Sequence, residues 1–286
     1  MSTNDNRISA MQQWKVLTSQ YARIMFSDKK NLLVTLLFPV IAAFITVWIA
    51  GENMFVNYEG TKSGNFVIVS AAIWGGLFNT IQVVVKERAN IKRDYVTGLR
   101  LRCYTASRAI LQFLLCVIQS GIMLLSYVFV NIIYDNPLPE SGIIFGNPLV
   151  EFYVTILLLI YAADMMGFCI SCIVKKTETA NVMAPYILIV QLIFSGILFK
   201  LTGAGEYVSY AMISKWGMEA LGSISNLNDL PLRIQETVPT VPHDAEAIFE
   251  ATSGHLFTVW GVLLGFILVF VIVGNLMLHT VSKDTR

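Results

Sequence analysis

Polar and charged residues fall in short clusters along the chain, and the long runs between them are apolar on every side rather than along one stripe. A helix rising about 1.5 Å per residue needs about 20 apolar residues to cross roughly 30 Å of hydrocarbon. Six runs meet that length, at 31–50, 66–85, 109–133, 152–174, 181–199 and 256–278. Helices of a soluble bundle would be apolar on one face only, and a membrane barrel would show short alternating segments. The pattern predicts an all-α integral membrane protein with six transmembrane helices.

Ahead of the first run, Trp14, Leu17, Tyr21, Ile24 and Met25 recur at three- and four-residue spacing, opposite Lys15, Ser19 and Arg23. That periodicity predicts an amphipathic helix lying in the membrane interface, within an N-terminal segment 1–30 that precedes a membrane domain at 31–280. Charged residues run from Asp5 to Lys30 and the apolar run after them is long, so the segment does not read as a secretory signal.

Composition agrees with the pattern. Of 286 residues, 55% are hydrophobic and 14% charged, with a mean hydropathy of +0.64, whereas a soluble domain carries roughly 25% charged residues. The net charge of +1 argues against a basic nucleic-acid binder. Its distribution says more. With six spans both termini share one side, and that side holds sixteen of the twenty Lys and Arg, among them Arg7, seven residues from Lys86 to Arg108, Lys175, Lys176, Lys283 and Arg286. The other side holds Lys62, Lys200, Lys215 and Arg233 against twelve carboxylates, including Glu52, Glu140, Glu151 and Asp244. The positive-inside rule then predicts cytoplasmic termini in a cell (inner or plasma) membrane, with a cytoplasmic loop at 86–108, an external loop at 200–255 and a cytoplasmic tail at 281–286.

Candidate chemistry is sparse. The sequence has no GxxxxGK[ST] loop and no HExxH, and its three histidines, His243, His255 and His279, form no ligand pattern. No catalytic role, metal or cofactor is expected on this chain. Cys169 and Cys172 lie inside an apolar run without further ligands, which suits helix packing. Asp164 is the lone mid-span carboxylate, a possible intramembrane polar site because charge is costly in hydrocarbon. An interhelical hydrogen bond is its structural alternative.

After the second run comes KERANIKRDYVTGLRLRCYTASRA, dense in charge and interleaved with Ile, Leu and Tyr. Glu87 and Asp94 are seven residues apart and so share one helix face amid basic residues, which reads as a docking surface for a soluble partner. Here the chain resembles type-2 ABC transporter permeases, in particular the transmembrane domain of the ABC transporter G subfamily. The resemblance is carried by Glu87, Arg88, Ile91, Arg93, Asp94, Tyr95, Thr97, Gly98 and Tyr104, and by a second stretch, IFSGILFKLTGAGEYVSYAMISKWGMEAL, closing on Ser214, Lys215, Trp216, Gly217, Ala220 and Leu221.

The resemblance implies a re-entrant helical hairpin between the fifth and sixth spans. It also implies a complex of two permeases, identical or different, with two copies of an ABC ATPase that binds ATP and Mg. The ATPase would be a separate chain and would couple through Glu87, Arg88, Ile91, Arg93, Asp94, Tyr95 and Gly98. Trp74, Phe78, Asn79, Gln82, Ile189 and Leu192 would line the substrate path, and Phe194, Ile197 and Leu198 would form a gate or plug. The implied activity is export of an amphipathic or hydrophobic compound such as a drug, lipid or peptide. Export of a polysaccharide or lipid-linked glycan by the same fold is the alternative, and an ion-coupled carrier, for which only Asp164 speaks, the less favoured one.

Overall fold

A computed structural model describes residues 9–50, 54–139, 141–199, 201–242 and 245–283. Arg7, Glu52, Glu140, Lys200, His243, Asp244 and Arg286 lie outside the described residues. In chain order the helices are α1 (Ala10–Ser27), α2 (Lys29–Ala50), α3 (Tyr58–Thr80), α4 (Val83–Val96), α5 (Leu101–Ile133), α6 (Pro148–Ile173), α7 (Thr177–Ile193), α8 (Ala204–Ser209), α9 (Ile213–Ile224), α10 (Arg233–Thr237) and α11 (Ser253–Lys283). No strand occurs among the described residues, and the protein is an all-α membrane protein.

Helices α2, α3 with α4, α5, α6 and α11 are long and apolar enough to cross a membrane. Helix α6 is the central post, buried on most of its circumference against α3, α5, α9 and α11. Glycine makes its contact with α3 possible. A Cβ on Gly76 would stand 2.2 Å from the Ile160 carbonyl oxygen, and one on Gly167 would stand 2.6 Å from that of Leu77. The two backbones approach at these points as only small residues allow. Thr80 donates its hydroxyl to the Asp164 carbonyl in the same seam.

The chain ends of the post are secured by polar groups. Pro148 opens α6 in its first turn, where a missing N–H costs nothing. Glu151 is fully buried, yet its carboxylate accepts from the backbone N–H groups of Ile143, Ile144 and Phe145 at 2.9, 2.6 and 2.9 Å. A buried charge is tolerated when donors of this kind surround it. At the other end Ser171 accepts from the N–H groups of Val84 and Val85 at 3.0 and 3.2 Å, which satisfies two orphan donors at the start of α4.

Three boundaries differ from the sequence expectation, each for a physical reason. The segment 86–108 is not a loop: α4 fills its first half, and α5 begins at Leu101, so Arg102, Tyr104 and Arg108 ride on the spanning helix. The turn between them is made by Gly98, whose φ of +106° favours glycine. Helix α7 spans 17 residues and stops at Ile193, because Gly196 adopts a left-handed φ of +81°. At about 1.5 Å per residue its length is about 26 Å, and Phe194, Ile197 and Leu198 lie beyond the helix rather than on it. Finally, the ladder of α3 is interrupted at Ile81 and Gln82 before α4 resumes.

After α7 come α8 and α9, with α9 buried among α3, α6, α7 and α11. Ser214 ties it to α7: its N–H donates to the Gln191 side chain at 3.1 Å and its hydroxyl to the Gln191 carbonyl. Lys215 and Glu219 pair one turn apart on α9. Residues 225–242 and 245–250 fold over the N-terminal end of α3, where Lys62 meets Glu246 at 2.9 Å and Asn228 holds the backbone of Glu246 and Phe249.

Candidate functional site

Glu87 stands where α1, α4 and α5 meet. Its carboxylate pairs with Arg108 of α5 through one oxygen and accepts the Tyr104 hydroxyl at 2.9 Å through the other. The Arg108 guanidinium lies 3.7 Å from the centre of the Tyr21 ring on α1, and Tyr21 meets Tyr104 edge to face at 5.7 Å. The side chains of Glu87 and Arg108 are 23% and 12% exposed, so water screens the pair little. Burial and the Glu87 charge push the Tyr21 phenol up to about 12, which keeps it a neutral ring over the guanidinium.

The apolar seat of this junction explains why it holds. Leu17 and Tyr21 of α1 pack with Val84 and Ile91 of α4, Leu101, Tyr104 and Leu111 of α5, and Phe168 and Cys172 of α6. Gln13 fastens the α4–α5 turn, donating to the Gly98 carbonyl at 3.1 Å and accepting from the Arg100 N–H at 3.0 Å. Ser9 and Gln12 close a capping box that starts α1 at this point. Arg88 donates to the Val174 carbonyl at 2.9 Å, at the end of α6. Glu87 is thus an internal brace to α5 and, through Arg108, to α1.

Of the remaining expected coupling residues, Ile91 is buried in that seat and Gly98 is held by Gln13, whereas the others face outward. Arg93 and Asp94 pair with each other at 3.2 Å with exposed side chains. Tyr95 is exposed at the tip of α4, and Val96 beside it is 82% exposed, an apolar group with nothing packed on it. Asp94 and Glu87 both line a small cavity against Gln20 and Tyr21 of α1, the shared face their spacing suggests. Arg108 and Tyr21 are the members of the junction that sequence reasoning missed. The four-residue step from Tyr104 to Arg108 was the available signal.

The expected path residues divide. Trp74 and Phe78 are exposed on α3 and their rings stack at 5.7 Å. Asn79 is engaged with Gln119 of α5 through both amide atoms, at 2.8 and 3.2 Å, and Gln82 donates to Asn181 of α7. Trp74, Phe78, Asn79 and Gln82 line one cleft of about 400 Å³ beside α2. Ile189 is exposed on α7 and Leu192 half-buried, away from that cleft's lining. Leu198 is 51% exposed, and Ile197 is half-buried against the core. Asp164 is fully buried between α3 and α5, with one carboxylate oxygen 3.3 Å from the Cys116 thiol. Among the described residues no group of His, Cys, Asp and Glu is placed to hold a metal.

Residues 12–225 match the model of the ABC-2 type transporter family. A Mycobacterium tuberculosis protein named as an ABC transporter ATP-binding/permease protein is 23% identical over 229 residues, covering 77% of this chain and 26% of that protein. The chain therefore spans about a quarter of that relative's length. The matched region runs from α1 through α9 and includes the Glu87 junction and the cleft on α3. On this match the chain belongs to the ABC-2 type transporter family, as a membrane-embedded permease component of an ABC transporter.

Proposed function

We propose that the chain is the permease subunit of an ATP-driven exporter, working as one of two permeases with two ATPase subunits on separate chains. Membership of the family implies an ATPase partner. In this reading both termini and the α4 tip face the cytoplasm of the cell membrane, and the partner binds ATP and Mg. The cargo is an amphipathic or hydrophobic compound passing Trp74, Phe78, Asn79 and Gln82 on α3 and Ile189 and Leu192 on α7. Phe194, Ile197 and Leu198 close the path on the outer side.

The observation that supports this best is the Glu87 junction. A docking helix transmits force only if its inner face is fixed to the helices it must move. Helix α4 meets that need, joined to α5 by Glu87 and Arg108, through Arg108 to Tyr21 of α1, and to α6 by Ser171. Its free tip at Tyr95 and Val96 is the part left for the ATPase. Closure of the ATPase pair would press on that tip and tilt α3, α5 and α1 together. The interrupted ladder at Ile81 and Gln82 is the place where α3 can bend against α4.

Photo-crosslinking tests the docking directly. A benzophenone amino acid at Val96 in native membranes should capture a protein whose sequence carries a GxxxxGK[ST] loop. Capture of a protein without that loop, or no capture from the tip at all, would overturn the proposal.

A further inference from the structure

Two cavities meet along one wall at the end of the bundle that carries α1. The inner one, about 280 Å³, lies among α1, α2, α3, α4 and α5; the outer one is the cleft beside Trp74. They share Asn31, Thr35, Phe78, Asn79, Val83 and Lys86, so together they form one continuous groove.

The two ends of the groove differ in chemistry. Val34, Phe38 and Trp74 line the outer end, where the stacked Trp74 and Phe78 rings offer an apolar slot. Asp28, Glu87, Arg108 and Gln112 line the inner end, and Lys86 stands between the two. Glu87 and Arg108 neutralise each other, which leaves the exposed Lys86 and Asp28 as one positive and one negative group. Two wall residues also have one atom each without a partner: the side-chain oxygen of Gln112, a residue only 7% exposed, has no donor, and the Nε of Arg108 has no acceptor. A buried polar atom left unpaired costs about 1–3 kcal/mol, so a ligand offering both a donor and an acceptor would gain by entering.

We propose that this groove binds one phospholipid with a zwitterionic, amine-bearing headgroup. The phosphate lies toward Lys86 and Arg108, the amine toward Asp28 and Gln112, and an acyl chain follows Phe78, Trp74 and Phe38. An anionic headgroup would satisfy Lys86 but set its charge against Asp28, so the balanced lining selects the zwitterion. The inference rests on the permease reading only in placing this end of the bundle at a membrane surface, and the lipid need not be the cargo.

Native mass spectrometry of the delipidated chain in detergent tests it. Phosphatidylethanolamine should bind one per chain, about tenfold tighter than phosphatidylglycerol, with soluble phosphoethanolamine not retained. Lys86→Glu, at an exposed position, should weaken retention about tenfold, and Phe78→Ala should weaken both lipids alike. Equal retention of the two lipids with Lys86→Glu unchanged would overturn the proposal. Retention of phosphoethanolamine as tightly as the lipid would assign the groove to a soluble ligand and overturn it too. Self-crosslinking of Phe38→Cys between two chains would give the groove to a second copy, with the same consequence. Each of these results leaves the ATPase-docking experiment at Val96 unaffected.

Discussion

Replacing Glu87 by Ala removes the carboxylate that holds three helices together, and the geometry sets the size of the effect. Exposed ion pairs contribute about 0.2–1 kcal/mol, and breaking a fully buried one costs about 3–5 kcal/mol. With side chains 23% and 12% exposed, Glu87 and Arg108 sit nearer the buried limit. The substitution also leaves the Tyr104 hydroxyl, on a fully buried side chain, without its acceptor. A loss of about 2–3 kcal/mol is expected for Glu87→Ala. Arg108→Ala should cost about 1 kcal/mol more, because the guanidinium also covers the Tyr21 ring. A double-mutant cycle, read by denaturant unfolding of the detergent-solubilised chain, should give a coupling of about 2 kcal/mol between the two residues. Arg108→Lys should recover only part of it, since an ammonium has no fork to offer the carboxylate. In the assembled transporter, Glu87→Ala should stay folded and lose substrate-stimulated ATP hydrolysis. A coupling below about 0.5 kcal/mol, or normal stimulation by the folded variant, would refute the brace.

Other expectations follow from the same structure. Gly76→Leu should prevent α3 from seating on α6 and abolish stable expression, while Gly75→Ala, whose nearest neighbour is the Phe38 ring at 3.4 Å, should be tolerated; thermal stability in detergent separates the two. Glu151→Ala should cost about 3 kcal/mol or more in an unfolding titration, because three backbone N–H groups lose their acceptor inside the protein. Lys62→Met should leave global stability within about 1 kcal/mol yet modestly raise proteolysis after residue 225, since its partly exposed ion pair to Glu246 is one of the ties, beside those of Tyr58 and Asn65, that hold the strap over α3.

Fold class was legible in the sequence because all-round apolar runs admit few other structures. The exact ends were not, and charge is the reason. Arg100, Arg102 and Arg108 read as solvated loop residues, whereas α5 carries the last two within its first turns, with Arg108 neutralised by a carboxylate twenty-one residues earlier in the chain. The Ile197 and Leu198 run reads as a continued span, and only the backbone at Gly196 reveals that α7 has already stopped. At the site, spacing correctly put Glu87 and Asp94 on one face of α4, toward α1. What spacing does not carry is depth. It could not tell that Glu87 turns inward to Arg108 while Tyr95 and Val96 remain free.

In the proposed cycle, ATP binding by the partner moves this permease between two states. Leu198, 51% exposed beyond the end of α7, is the probe best placed to report it. In the assembled complex, Leu198→Cys should crosslink between two permease subunits without nucleotide and lose that crosslink when ATP and Mg are trapped in the ATPase. A crosslink that never forms, or one indifferent to nucleotide, would contradict the account.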